Sequence, residues 1–392
     1  MRVILFTGKG GVGKTTAAAG TAALAAAAGH RTLVLSTDAA HSLADAFGVP
    51  IGPEPTLLSP CLFVQQIDAQ QRFERSWTEI QGYLRAVLEA GGSDPITAEE
   101  LTVVPGAEEV LALLELRTQV RSDMWDVVVV DCAPTAETLR LLALPEALGW
   151  YLDRVLSAEG RIVRALRPML ARATGMPMPH DTVLDAVELL HRELREVRQI
   201  LTGDDASVRL VLTPETVVVA EARRALTTLS LFGYRVDGVV ANRVFPTGGA
   251  DRWRRTWAEA QAGVLVEVEH SFTGLPVWRS TYQPVEPVGV LALHDLARDA
   301  YGADDPLAPP QGPSPMTFTR TRADTILRLA LPFVAKSDID LTRHGDELVV
   351  TVGSYRRLIA LPGPLGKQSV VGARIDDGAL KVRFHADSQE AL

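Results

Sequence analysis

Gly8-Lys9-Gly10-Gly11-Val12-Gly13-Lys14-Thr15 stands between the apolar run Val3–Phe6 and the alanine-rich, helix-forming stretch Thr15–Ala28, which closes at Gly29. The order is strand, glycine loop, helix. The loop has the form G-x-x-x-x-G-K-[ST], in which glycines let backbone N–H groups converge on phosphate oxygens while the next helix turns its positive end to the same charge. Gly8, Gly10, Gly11, Val12, Gly13, Lys14, Thr15 and Thr16 are the expected nucleotide cradle. Lys14 is expected to neutralise the β- and γ-phosphates of ATP, and Thr15 to place its hydroxyl on Mg²⁺.

Outward from the loop the strand signal recurs. Arg31–Thr37, Trp125–Val130, Val208–Thr213 and Val236–Asn242 are Val- and Leu-rich runs without alternation, the pattern of parallel strands buried on both faces. Spread from residue 3 to residue 242, they predict an α/β fold: one doubly wound P-loop sheet of mixed strand order. Two carboxylates follow strand ends, where such sheets bind ligands. Asp38 is expected to face the γ-phosphate region and orient the attacking water. Asp131, after four valines, is expected to hold Mg²⁺ through water.

Lys9 is a second lysine inside the loop. A loop wrapped tightly around its own nucleotide leaves a long cation little room to act in cis, so Lys9 is expected to reach the phosphates bound by a neighbouring copy. Hydrolysis would then depend on a homodimer.

Helical segments interrupt the strand pattern, with insertions expected at about 67–120 and 145–201. Asp181–Leu201 carries Val183, Val187, Leu190, Leu194, Val197 and Leu201 at alternating steps of four and three, the seam of a helix packed along another helix. Pro145–Leu170 is a second helical candidate rich in Leu and Val. Five prolines between Gly302 and Pro315 mark a semi-stiff linker. Beyond it, Ile326–Phe333, Glu347–Val352, Tyr355–Leu361, Ser369–Arg374 and Leu380–Phe384 are short, β-prone and separated by turn signals, which predicts an all-β sandwich. The expected organisation is an ATPase domain over 1–302, a linker over 303–321 and a β-sandwich over 322–387.

The bulk composition narrows the classes. With 392 residues, 47% hydrophobic and 22% charged, the chain is globular and long enough for two to three domains at roughly 100–200 residues each. A net charge of −9 gives no global basic field for nucleic acid, so none is expected as a partner. The two cysteines, Cys61 and Cys132, are too few for a disulfide framework and lack C-x-x-C spacing, as expected in a reducing compartment. No run reaches the ~18–20 apolar residues of a membrane span, and the start of the chain lacks the pattern of a secretory signal. The expectation is a cytoplasmic protein that is not itself membrane-spanning.

GKGGVGKTT, STDAAHSLADAFG, LTVVPGAEEVLAL and DCAPTAETLRLLALP together resemble the arsenite-pump and tail-anchored-protein-targeting ATPases (ArsA/GET), a deviant-Walker-A family. The resemblance covers roughly residues 1–302 and implies two ATP sites facing each other in a homodimer or pseudodimer. On that basis Lys9 resembles the intermonomer signature lysine, Asp38 the water-positioning aspartate of the first switch, and Asp131–Arg140 the second switch. Asn242-Arg243 resembles the adenine-recognition dipeptide. The chain departs from the pattern at Asp38-Ala39-Ala40-His41 and Ala136-Glu137, and has no Cys-x-x-Cys zinc clasp or arsenic-binding cysteine cluster. Asp324–His385 resembles the α-crystallin domain of small heat-shock proteins.

The resemblance implies an ATP-driven homodimeric switch that binds hydrophobic protein segments, in targeting or as a chaperone, with a membrane receptor as a further partner. An arsenite or anion efflux pump is the alternative; it calls for thiol ligands and typically for tandem ATPase halves. A ParA/MinD-like positioning ATPase shares Lys9 and the loop but calls for a basic surface or an amphipathic C-terminal helix.

Overall fold

The computed structural model describes residues 1–38, 42–67, 107–139, 142–143, 181–247, 251–321, 324–366 and 368–385. Eight strands form one sheet in the order β3-β4-β2-β5-β1-β6-β7-β8: β1 (Arg2–Thr7), β2 (Thr32–Ser36), β3 (Thr56–Ser59), β4 (Leu62–Gln66), β5 (Val127–Asp131), β6 (Ala206–Leu212), β7 (Val236–Val244) and β8 (Val277–Thr281). All pairings are parallel except that of the edge strand β3 with β4. The unalternated Val and Leu runs are buried along β1, β2, β5 and β6, because crossover helices cover both faces.

The helices around the sheet are α1 (Lys14–Ala27), α2 (Ser42–Phe47), α3 (Ala107–Arg121), α4 (Asp181–Leu201), α5 (Thr216–Phe232), α6 (Arg252–Ser271) and α7 (Val290–Tyr301), the last following the sheet's final strand. The alanines of α1 let it lie close between the sheet and α7, where a Cβ on Gly20 would stand 2.7 Å from the Leu293 carbonyl oxygen. The described parts of the two helical segments expected as insertions act as crossover helices. Leu113 and Leu116 of α3 and Val197 and Leu201 of α4 join the sheet core. Arg117 ties the two helices together through Glu193 and Glu196, at 3.2 and 2.8 Å. The Asp181–Leu201 seam runs as expected at Leu194, Val197 and Leu201, which are buried. Pro145–Leu170 and residues 68–106 lie outside the described residues. Among the described residues, no helix is long and apolar enough to cross a membrane.

At the N-terminal end of the strands, a buried polar cluster fastens the sheet. Asp237 of β7 accepts from Arg2 at 2.8 Å, from Ser207 at 2.7 Å and from Arg209 at 3.1 and 2.8 Å. Arg209 also donates to the Tyr301 hydroxyl and to the Pro306 carbonyl, both at 2.9 Å. The proline-rich segment is therefore pinned to the sheet rather than held off as a free spacer.

The C-terminal unit is all-β, with sheets β14-β15-β10-β9 and β11-β12-β13. Its strands are β9 (Met316–Arg320), β10 (Asp324–Ala330), β11 (Ile339–His344), β12 (Glu347–Val352), β13 (Tyr355–Ala360), β14 (Ser369–Asp376) and β15 (Ala379–His385). Strand β9 occupies residues expected to be linker, so the sandwich begins earlier than 322. It is also docked. Leu231 of α5 is buried in the sandwich core, Thr227 donates to the Pro332 carbonyl at 2.6 Å, and the buried Arg357 of β13 donates to the Leu231 carbonyl at the end of α5. A guanidinium there satisfies a helix carbonyl that has no partner within its own helix.

Candidate nucleotide site

The loop joining β1 to α1 has the shape its glycines predict. Gly13 has φ 90°, and a Cβ there would lie 2.2 Å from Asn242 Nδ2. Gly8 is the tightest position, since a Cβ would meet the Val211 carbonyl oxygen at 2.1 Å. Lys14, at the first position of α1, is buried, and its Nζ turns back to the Lys9 carbonyl at 3.5 Å. Lys9 is half-buried between the buried Gly8 and the exposed Gly10, and makes no ion pair with a described residue.

Asp131 ends β5, beside both β1 and β2, and is fully buried. Both of its carboxylate oxygens lack a hydrogen-bond partner within bonding geometry. Burial pushes its carboxyl up to about 7, partly offset by the facing Thr15 hydroxyl and Lys14 ammonium, while the charge of Asp38 pushes the same way as burial. A buried carboxylate with two unused oxygens next to a threonine hydroxyl is a donor set that suits Mg²⁺, a hard cation that takes oxygen ligands. The residues present therefore fit the Mg²⁺–ATP that the loop calls for, Thr15 and Asp131 being the residues that would hold the ion.

Asp38 lies two residues past the end of β2, within electrostatic reach of Asp131. The strand end is stitched to β5 by the Thr37 amide, which donates to the Asp131 carbonyl at 3.0 Å. After Asp131, the Thr135 amide donates to the Gly8 carbonyl at 3.1 Å, fastening the segment that follows β5 to the phosphate loop. Ala136 and Glu137 are exposed. Of the stretches expected as switches, residues 39–41 and 140 lie outside the described residues.

Asn242 and Arg243 fall near the end of β7. Asn242 is buried and donates its Nδ2 to the Val12 carbonyl at 2.8 Å, so its amide braces the phosphate loop from beneath. Its Oδ1 is the remaining atom that could accept from a nucleobase amine. Arg243 is exposed and has φ 57°, a left-handed conformation unusual outside glycine. Both residues border a cavity of about 340 Å³ that also touches Thr16 and the turn from Tyr282 to Pro287. That turn was not among the sequence candidates. Its signal was the pair Pro284 and Pro287 around the exposed Val285, directly after a strand at the ligand end of the sheet. Gln66 was also missed; its Nε2 donates to the Asp38 carbonyl at 2.7 Å.

The structure thus gathers Lys9, Lys14, Thr15, Asp38 and Asp131 around the phosphate loop, with Asn242 beneath it and Arg243 on the cavity rim. The two cysteines lie apart. Cys61 is level with the start of β2, where the Thr32 amide bonds its carbonyl, whereas Cys132 follows the end of β5. Six strand positions separate the two levels, about 20 Å at ~3.3 Å per residue. Cys132 is fully buried, which pushes its thiol well above the ordinary range.

Comparison with known proteins agrees with this architecture. Residues 1–302 match the family described as anion-transporting ATPase (ArsA ATPase), and residues 322–384 match the HSP20-like domain found in ArsA. A Chlorobaculum tepidum protein named as an arsenical pump-driving ATPase is 36% identical over 393 residues, covering 99% of this chain and 97% of its own. An Aquifex aeolicus protein of similar name is 33% identical over 387 residues, covering 96% and 98%. A Trypanosoma cruzi protein named as an ATPase ASNA1 homolog is 28% identical over 331 residues, covering 77% of this chain and 92% of its own. With a phosphate loop, two strand-end carboxylates and a docked β-sandwich on one chain, this protein belongs to the ArsA ATPase family and carries that family's HSP20-like domain.

Proposed function

We propose that the chain is an ATP-hydrolysing homodimeric switch that binds hydrophobic protein segments. The observation that carries this reading is the adjacency of the two strand ends bearing Asp38 and Asp131, with Ser36 opposite Asp131 in the β2–β5 register. From beside those ends the chain runs into segments 68–106 and 144–180, and it returns as the ion-paired helices α3 and α4. Nucleotide state at the strand ends would then bias α3 and α4, through which the chain returns from those segments, a population shift driven by differential affinity.

In this reading Mg²⁺ supplies charge neutralisation at the β- and γ-phosphates. Lys14 binds those phosphates, Thr15 and Asp131 hold the ion, and Asp38 orients the attacking water. Lys9 reaches across to the nucleotide of the other copy, which fits its half-buried place in the loop without an ion pair to a described residue.

The efflux-pump alternative calls for converging thiols, and a separation of about 20 Å between the cysteine levels disfavours it. The discriminating experiment measures binding of a hydrophobic transmembrane peptide, and ATPase stimulation by arsenite, on the full chain. The proposal expects peptide affinity to rise with ATP or a transition-state analogue and arsenite to have no effect. Nucleotide-independent peptide binding together with arsenite stimulation would reverse the assignment.

A further inference from the structure

We infer that Gln66 is a positioning residue for hydrolysis, holding Asp38 in register by gripping its main chain; this rests on reading Asp38 as the water-orienting carboxylate. Gln66 is the last residue of β4 and pairs with Ser36, the last residue of β2. Asp38 lies two residues beyond that pair, past the ladder, so its backbone polar groups need partners of another kind. They have them. The Asp38 amide donates to the Ser36 hydroxyl at 3.2 Å, and its carbonyl accepts from Gln66 Nε2 at 2.7 Å. The amide and the carbonyl of this residue are therefore both fixed by side chains at the two strand ends.

The chemistry of Gln66 itself argues that this bond is the reason for a glutamine. Its side chain is 4% exposed and its Oε1 is buried without a partner. A buried amide oxygen left unpaired costs free energy, and an apolar side chain of the same length would fill the volume without that cost. Core packing alone would favour methionine or leucine. The adjacent Gln65 points to the opposite side of the strand and is held by the Pro53 carbonyl and by Glu115 of α3, both at 2.7 Å. The end of β4 is thus anchored from behind, so Gln66 has a fixed base from which to hold Asp38.

A carboxylate that orients water must sit within a fraction of an ångström of its working place, and a misplacement of about 1 Å costs as much as 100-fold in rate. Gln66→Met, matched in length and without the donor, is expected to lower kcat about 10- to 100-fold while KM for ATP changes less than about twofold. Gln66→Glu, which keeps size and polarity but loses the donor when ionised, is expected to behave alike and serves if the methionine variant folds poorly.

Two full-chain controls separate the outcomes. Leu62→Ala, at the buried far end of β4, reports destabilisation of that strand alone and is expected to keep kcat where the protein remains folded. Asp38→Asn tests the underlying reading. The inference stands if both Gln66 variants lose kcat at unchanged KM while Leu62→Ala does not. It is overturned if Gln66→Met and Gln66→Glu turn over ATP at the wild-type rate while Asp38→Asn is inactive, or if Leu62→Ala loses kcat equally. Full turnover by Asp38→Asn overturns the reading of Asp38 itself, and the inference with it.

Discussion

Replacing Asn242 by alanine separates two jobs that one amide can do. The Nδ2–Val12 bond of 2.8 Å is buried, and the same amide stands against Gly13 at the turn into α1. Alanine removes the donor and leaves the Val12 carbonyl without its side-chain partner. A buried hydrogen bond of this kind contributes about 1–1.5 kcal/mol, so loss of loop order weakens phosphate binding by roughly tenfold. That loss is independent of the base. Calorimetric titration of wild type and Asn242→Ala with Mg²⁺–ATP, and separately with inorganic tripolyphosphate, reads it out. Tripolyphosphate is expected to weaken about tenfold and ATP at least as much, because ATP also loses whatever Oδ1 gives the base. If tripolyphosphate binds the variant as well as the wild type, the brace on the loop is of no consequence and Asn242 acts on the base alone.

Three further outcomes follow from the packing and the charges. Leu231→Ala empties a fully buried position shared between α5 and the sandwich, so it should cost about 3 kcal/mol and lower the urea midpoints of both domains together; a shift confined to one domain would show that docking is not cooperative. Asp237→Asn leaves the buried guanidiniums of Arg2 and Arg209 without their shared carboxylate and should destabilise by roughly 3–5 kcal/mol in urea unfolding, with a loss below about 1 kcal/mol refuting the cluster's role. Asp131, raised in the folded state from 3.8 to about 7, favours the fold in its protonated form. Nucleotide-free wild type should therefore lose stability relative to Asp131→Asn as pH rises from about 4 through 7, and a flat difference across that window would refute the burial argument.

The legible part of the fold was the part whose reasons are local. Runs such as Val127–Val130 declare a strand buried on both faces, and the glycine loop declares its own turn. Strand β4 was hidden because Gln65 and Gln66 read as surface residues, whereas they are buried with partners in α3 and at Asp38. The edge strands β3 and β8 are short and partly exposed, which weakens their pattern, and β9 lies against a proline-rich run. Lys9, Asp38 and Asp131 could be proposed because loops and strand ends have fixed places in a doubly wound sheet. The Tyr282–Pro287 cavity wall could not, since only the return of β8 beside β7 brings it to Asn242. Docking of the sandwich was equally invisible: no local pattern marks Leu231 or Arg357, which lie 126 positions apart, and only their meeting reveals a contact.

The central claim is that each copy lends Lys9 to the nucleotide of the other. The most direct test co-refolds two variants, Lys9→Ala and Asp38→Asn, each inactive alone, and measures ATP hydrolysis by the mixture. Half of randomly paired dimers are mixed, and in each of these one site combines an intact Asp38 with a Lys9 from the other protomer. The account predicts recovery of about a quarter of wild-type activity. A mixture in which mixed dimers form yet hydrolysis stays at the level of the separate variants would contradict it.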